Sequence, residues 1–366
     1  MKAIKGFDVH LKCRGFQFEI GQTYKHEGKV KACRSGFHAV PDDLHPLTVF
    51  QFYPPAGSRF CVAEVDGATD REEDKIAAEI LTVEREIGLH DLAAEAVKWV
   101  MNRAIPEGPV AVTDNGLATA SGYQGAATAS GTRGAATASG NYGAATASGT
   151  RGAATASGTR GAATASGNYG AATASGYQGA ATASGDQGAA TASGTIGAAT
   201  ASGDQGAATA SGDQGAATAS GYQGAATASG TRGAATASGT RGAATASGDQ
   251  GAAMASGNYG AATASGDQGA ATASGDQGAA TASGDQGAAT ASGTRGAATA
   301  SGYQGAAMAT GWGGTVQGTD GNALFAIERE MNGNILSVAC GIVGKDGIKA
   351  NTWYRCNGGK LVEVDA

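Results

Sequence analysis

Cys13, Cys33, His38 and Cys61 are the side chains whose types could hold a soft metal ion, and all lie near the start of the chain. Zinc centres draw their ligands from tight Cys or His pairs. No C-x-x-C pair exists here, and the cysteine count of five, with Cys340 and Cys356, is odd. These residues therefore read as reduced thiols, and no metal is expected. His10, His26, His38, His45 and His90 stand at no triad-like or metal-ligand spacing. There is no P-loop, no G-x-S-x-G and no dinucleotide fingerprint. No catalytic residue and no cofactor is expected, which leaves recognition as the chemistry to place.

Recognition chemistry is concentrated between residues 123 and 303. Tyr, Arg and Asp recur there at two fixed places in a nine-residue unit, Gly-Ala-Ala-Thr-Ala-Ser-Gly followed by a variable pair. The 21 pairs come from a short menu: Thr-Arg, Asp-Gln, Tyr-Gln, Asn-Tyr and a single Thr195-Ile196. Such self-similarity decides the architecture before any local signal does. A collagen helix needs Gly at every third residue, and the series here breaks that rule. A disordered Gly/Ser/Ala spacer has no reason to confine its variation to two positions. A β-solenoid has such a reason, because strand and corner positions differ physically.

In that reading Ala126–Ser130 is an extended segment bracketed by Gly125 and Gly131, with Gly supplying positive φ at the corners. Alternate side chains face opposite ways. Ala127 and Ala129 are placed inward, because the Thr slot becomes Met254 and Met308, and Met would overpack an alanine interior. Nine residues are too few for a full turn, so two units, 18 residues, are assigned to each. Ten or so turns make a rod of roughly 50 Å. The variable pairs then sort onto two edges. The first carries Arg133, Arg151, Tyr169, Asp186, Asp204, Tyr222, Arg241, Tyr259, Asp276 and Arg295. The second carries Tyr123, Tyr142, Arg160, Tyr177, Ile196, Asp213, Arg232, Asp249, Asp267, Asp285 and Tyr303. Tyr and Arg favour interfaces, so these edges are the expected binding surface, apart from Ile196. On the second edge Asp249, Asp267 and Asp285 fall on consecutive turns.

A solenoid must cover its raw sheet ends. Residues 1–112 are expected to form an α+β capping domain, 113–313 the solenoid and 314–366 a small antiparallel β cap. Ile76–Ile87 fits either helix or strand. From Leu89 onward, Leu92, Ala96, Trp99, Val100 and Ala104 fall on one helical face, and Pro106 ends the helix. This helix is expected over the first solenoid turn. In the tail, Asn332-Gly333, Asp346-Gly347 and Asn357-Gly358 are hairpin signals. The fold class is thus mainly β: a β-solenoid of nine-residue repeats with an α+β domain before it and a β-hairpin cap after it.

Composition narrows the partner. The net charge of −6 is far from the basic signature of a nucleic-acid binder and too weak for a duplex mimic. No apolar run is long enough to span a membrane. The start Met1-Lys2-Ala3-Ile4-Lys5 lacks the apolar core of a secretory signal. A protein partner in a host cytoplasm is expected, with a virion as the alternative setting. Self-association of the rods is left open.

Several resemblances follow. Arg14-Gly15, Gly21-Gln22-Thr23-Tyr24 and Gly36-Phe37-His38 resemble the spacing of ADP-ribosyltransferases, in which an Arg-Gly strand frames a nicotinamide pocket, but the Ser-Thr-Ser strand and Glu-x-Glu pair are missing. The stretch Ser121–Ala129 is similar to ice-nucleation repeats, though its period differs and the outward Thr-x-Thr is replaced. Calcium-binding nonapeptides share the period, but Asp fills only seven of the 21 pairs here. More closely, Lys5–Asp8, Cys13–Glu19, Gly36–Ala39 and Ile348–Tyr354 resemble an uncharacterised family of bacteriophages and prophages. Its members join such an N-terminal domain to nonapeptide arrays and a C-terminal cap. That resemblance implies a viral or mobile-element origin and no assigned activity. The expected function is non-catalytic binding of a macromolecule by the solenoid edges, with inhibition of a host defence protein as one outcome. The alternatives are a virion tail or fibre component and an ADP-ribosyltransferase-like enzyme on a solenoid stalk.

Overall fold

A computed structural model describes residues 1–103 and 110–365. Each nine-residue unit folds as one four-residue strand, Ala-Ala-Thr-Ala, and one tight Gly-x-x-Gly turn. Gly215 N–H donates to the Gly212 carbonyl at 3.1 Å, closing such a turn. The variable pair occupies the two central positions. Among variable residues only Gln286, Arg295 and Gln304 have positive φ. Most side chains therefore fit these positions without backbone strain, which is why variation collects there.

Successive units alternate between two parallel sheets. Ala126 pairs with Ala144 and Ala135 with Ala153, a turn of 18 residues. Each sheet has 14 strands, a stack of about 60 Å at the usual strand spacing. The corners are laddered too, because Gln214 N–H donates to the Thr195 carbonyl one turn earlier at 3.0 Å. Ala127 and Ala129 point inward, and their counterparts build one continuous alanine interior. Met254 is 51% exposed in the outward Thr slot.

The repeat glycines are required for a reason other than positive φ, which none of them from Gly116 to Gly311 adopts. A Cβ added at Gly212 would lie 1.6 Å from the carbonyl oxygen of Gly194, one turn earlier. The same clash recurs at the first glycine of every turn from Gly140 to Gly311, never beyond 2.0 Å, whereas at the second glycine, such as Gly215, a Cβ would meet the Ala210 Cβ at 3.0 Å. Here the glycine is fixed by close backbone approach between turns, not by corner geometry.

At the C-terminal end the interior side chains grow larger. Val316, Leu324, Val343 and Tyr354 are buried against the last alanines. The strand Ala323–Arg329 extends one sheet and pairs antiparallel with Ile335–Ile342. Thr315–Gly318 ends the other sheet, followed by the hairpin Tyr354–Asn357 and Lys360–Glu363. Gly358 and Gly359, at φ 58° and 75°, form that hairpin's loop, one residue later than Asn357-Gly358. Buried Asn322 seals the last turn, accepting from Gly305 N–H and donating to the Ala300 carbonyl, both at 2.8 Å.

The N-terminal domain is built from β1 (Lys2–Asp8), β2 (Lys12–Cys13), β3 (Phe16–Gln17), β4 (Thr23–Lys25), β5 (Phe37–Pro41), β6 (Ser58–Arg71) and β7 (Ile76–Ile87). The ambiguous stretch Ile76–Ile87 is a strand. β1 pairs with β5 and β6, and both of those pair with β7, so the antiparallel ring closes on itself, with β4 added to β7. Phe7, Phe18, Cys61, Leu81 and Val83 fill its interior.

The helix α1 (Leu89–Arg103) buries Leu92, Ala96, Trp99 and Val100; Ala104 and Pro106 lie outside the described residues. It does not cover the first solenoid turn. It crosses the flank of the rod over the strands Ala162–Ala165, Ala180–Ala183, Ala198–Ala201 and Ala216–Ala219. Ile196 is the knob of this contact, packed with Leu47, Val49, Phe50, Leu92 and Ala96. Gln178 donates to Thr48 Oγ1 at 3.2 Å, and Trp99 packs against Tyr142 at 5.8 Å. The first Ala of each strand is buried from Ala144 to Ala234 on this flank, and is exposed on the opposite sheet at Ala153, Ala171 and Ala189. The one pair that departs most from the menu, Thr195-Ile196, is thus explained by docking.

Two outcomes follow from these contacts. Gly212→Ala should cost about 3 kcal/mol or more in urea or thermal unfolding of the full chain, while Ser211→Ala, at an exposed site, should leave the midpoint unchanged. Ile196→Asp should loosen the barrel from the rod by about 2–4 kcal/mol. Limited proteolysis should then release the N-terminal domain while far-ultraviolet circular dichroism keeps the solenoid signal.

Candidate functional site

Two places gather side chains able to do chemistry: the edges of the rod and a cleft in the barrel. Period and stacking sort the variable pairs onto two edges, with carbonyl-to-amide bonds linking each pair to the one 18 residues away. The two slots of a pair differ. On the second edge, second-slot Gln178 and Ile196 are buried and Tyr142, Arg160 and Gln214 half-buried. Their first-slot neighbours Asn141, Thr159, Tyr177, Thr195 and Asp213 are exposed. The second slot therefore leans over the flank that carries α1.

The first edge is free along its length: Arg133, Arg151, Tyr169, Asp186, Asp204, Tyr222, Arg241, Tyr259, Asp276 and Arg295 are all exposed. Neighbouring turns interact on it, with the Arg151 guanidinium 5.6 Å from the Tyr169 ring centre and Arg295 5.4 Å from that of Trp312. On the second edge Tyr123, Tyr177, Asp213, Arg232, Asp249, Asp267, Asp285 and Tyr303 are exposed. Tyr142 and Arg160 belong instead to the docking contact. Arg160 donates to Gln178 Oε1 at 3.0 Å and to the Tyr142 hydroxyl at 2.7 Å.

The cleft was not legible as a site in the sequence. It is about 400 Å³ in volume and opens on the barrel. β1 contributes Ile4, Lys5 and Gly6; the β2–β3 hairpin contributes Cys13 and Arg14. β5 adds His38, Ala39 and Val40, and the 3-10 turn Pro46–Gln51 and the residues after it add Val49, Gln51, Phe52 and Tyr53. Cys33 and Lys75 complete the lining, which contains no carboxylate. Gly6 allows the Tyr53 ring to lie against β1, since a Cβ there would come within 2.4 Å of it.

Lys5 is the centre of this cleft. It is 2% exposed. Its ammonium donates to the His38 carbonyl at 2.7 Å, reaches Cys13 Sγ at 3.8 Å and lies over the Phe7 and Phe18 rings at 5.4 and 5.2 Å. Among the described residues no carboxylate is within ion-pair distance of Lys5 or Arg14. Burial pushes the Lys5 ammonium below its usual range, against a smaller opposing effect of Cys13. Burial, then the positive charges of Lys5, Arg14 and Lys75, hold His38 below its ordinary value. Tyr53 donates to Cys13 Sγ at 2.8 Å, and burial followed by that bond raises its phenol.

Two further contacts tie Cys33 into the cleft lining. His38 Nε2 accepts from Cys33 N–H at 2.9 Å, and the Cys33 thiol donates to Glu72 at 3.1 Å. Cys61 is buried in the barrel interior, its thiol pushed up to about 11 chiefly by burial. Among the described residues, no three His, Cys, Asp or Glu side chains are grouped to hold a metal ion, and no helix is long and apolar enough to cross a membrane. The Arg14-Gly15 step is a hairpin loop, with φ 51° and 81°, rather than part of a strand.

A family model described as a domain of unknown function (DUF7666) matches residues 1–95. The matched span takes in the barrel, the whole cleft, and the motifs Lys5–Asp8, Cys13–Glu19 and Gly36–Ala39; Ile348–Tyr354 lies beyond it. No curated protein and no solved structure matches the chain.

The buried lysine has a consequence for stability. Its folded pKa is below the unfolded value of 10.5, so between the two the unfolded chain holds more protons and stability rises with pH. Lys5→Met should remove that alkaline rise and leave the chain at neutral pH as stable or about 1 kcal/mol more stable. Urea titrations at pH 7 and above would show this. A loss beyond about 2 kcal/mol would mean that the bond to the His38 carbonyl outweighs the cost of burial.

Proposed function

We propose that the protein is a non-catalytic scaffold, phage- or prophage-encoded, that binds a host protein along the first edge of its solenoid. The observation that carries this reading is the contrast between the edges. The barrel docks over the flank beside the second edge and draws in part of that edge, from Tyr142 to Gln214, whereas the first keeps every Tyr, Arg and Asp in solvent at a fixed repeat. Exposed Tyr169, Tyr222 and Tyr259 are aromatic anchors of the kind that dominate protein interfaces. They stand on a fully laddered backbone, so little ordering is needed on binding. The N-terminal motifs that resemble the phage family make a host protein, such as a defence component, the partner class; the solenoid-as-inhibitor idea is an analogy of architecture.

Substitutions to residues that the repeat already carries in the same slot test this without disturbing the fold. Tyr169→Gln, Tyr222→Asp and Tyr259→Gln together should abolish stoichiometric capture of a partner from host lysate, each change costing about 2 kcal/mol. Asp249→Thr, Asp267→Thr and Asp285→Thr on the second edge should leave capture intact. Capture insensitive to the first-edge changes would refute the reading, and detection of the chain in purified virions would make it a tail or fibre component instead.

A further inference from the structure

We infer that the barrel cleft is a binding site for a phosphate monoester with a flat apolar body, its head held between Lys5 and Arg14. No residue of the rod lines this cleft, so the site is independent of the edge reading. Lys5 offers three N–H donors, and among the described residues its acceptors are the His38 carbonyl at 2.7 Å and the weaker Cys13 Sγ at 3.8 Å. A buried amine with no carboxylate beside it holds its proton less tightly, and an anion brought against it restores the charged form. The adjoining hollow on the other side of Lys5, Arg14 and His38 also lacks a carboxylate in its lining, so among the described residues neither hollow brings a carboxylate to Lys5.

Arg14 is the second observation. It sits at φ 51° in a two-residue hairpin loop, ahead of Gly15 at 81°. Loops with positive φ at both positions favour Asn-Gly or Asp-Gly, and a branched or long side chain there costs about 1–2 kcal/mol. Its charge acts on both Lys5 and His38, so the strained position holds a cation at the mouth of the cleft. Lys75 adds no free charge, being paired with Glu72 and Asp74 at 3.2 Å.

Charge count selects the ligand class. Buried Lys5 and exposed Arg14, neither paired with a carboxylate among the described residues, match a phosphate monoester, which carries a charge of about −1.5 to −2 at neutral pH; a lone carboxylate would engage only one of them. Lys supplies a point charge and Arg a planar fork, the pair of shapes that suits phosphate oxygens. Beyond the head, Val40 and Phe52 provide an apolar wall. A volume of about 400 Å³ falls in the range of small-molecule pockets.

Isothermal titration of the full chain with phenyl phosphate tests the inference, with benzoate and benzyl alcohol as the monoanionic and neutral comparisons. Phenyl phosphate should bind at one site per chain, at least about tenfold tighter than benzoate, and benzyl alcohol weakest. Lys5→Met and Arg14→Asn should each weaken phenyl phosphate about tenfold or more. Arg14→Asn restores a favoured hairpin sequence, so its loss of binding cannot be a loss of folding. The first-edge triple variant should bind as the parent does. The inference is overturned if phenyl phosphate fails to bind at about 10 mM, if benzoate binds equally well, or if Arg14→Asn leaves the affinity unchanged.

Discussion

The contact of one turn with the next is the constraint on which this molecule rests. At each corner a glycine α-carbon lies so near the preceding turn's carbonyl that a methyl group has no room. That approach permits corner amides, and not only strand amides, to pair with the turn before. The pairing matters because the interior is thin. A buried methyl contributes about 0.8 kcal/mol, less than the roughly 1–2 kcal/mol needed to order a residue's backbone. Alanine burial alone does not balance that cost. Continuous ladders and dense backbone packing must make up the difference, and they do so only if every copy keeps its glycine and its small residues. Uniformity of the repeat is therefore a packing requirement, and variation collects in the two turn positions that neither fill the interior nor face the neighbouring carbonyl, with Met254 and Met308 in the outward Thr slot as further departures.

Symmetry along the rod is broken by the barrel. Repeat proteins of this kind offer equivalent edges until something is attached. Here a helix with Leu92, Ala96 and Trp99 on one face lies across outward alanines, and a single isoleucine rises from the rod to meet it. The flank so covered turns Gln178 and Tyr142 from surface residues into interface residues. The same attachment leaves the opposite edge unobstructed. A patterned surface and a rigidly placed domain are thus consequences of one contact, and a change at Ile196 would touch both.

The barrel follows different physics. Its closed ring leaves no long free edge, and its aromatic interior holds a lysine at β1 that no carboxylate compensates. Natural cores rarely keep such a charge unless it serves a purpose. In the rod, by contrast, no charged side chain is buried among the described residues. The division of labour is physical: one part is a strongly laddered display, the other a compact fold with an electropositive hollow.

Much of the rod was legible in the chain itself. The nine-residue period, the 18-residue turn, the inward Ala127 and Ala129, the outward Met254 and the sorting of pairs onto two edges all follow from strand alternation and side-chain volume, which are local properties. Two hairpins in the tail were signalled, one by Asn332-Gly333 and one by Asn357-Gly358, whose loop is displaced by a residue to Gly358-Gly359, whereas Asp346-Gly347 forms a turn between strands of different sheets and not a hairpin. What only the tertiary structure decided has non-local causes. The glycine requirement comes from a carbonyl 18 residues away, so no φ preference within the unit reveals it. The place of α1 depends on Ile196, about a hundred residues along the chain, and an amphipathic pattern says that a face is buried but not against what. The cleft joins Lys5, Arg14, His38 and Tyr53 through strand pairing in a closed barrel. Spacing along the chain drew Arg14 and His38 together only through a resemblance to an enzyme pocket, and it carries no trace of Lys5 or Tyr53 joining them, because each of those two reads singly as an ordinary surface or core residue.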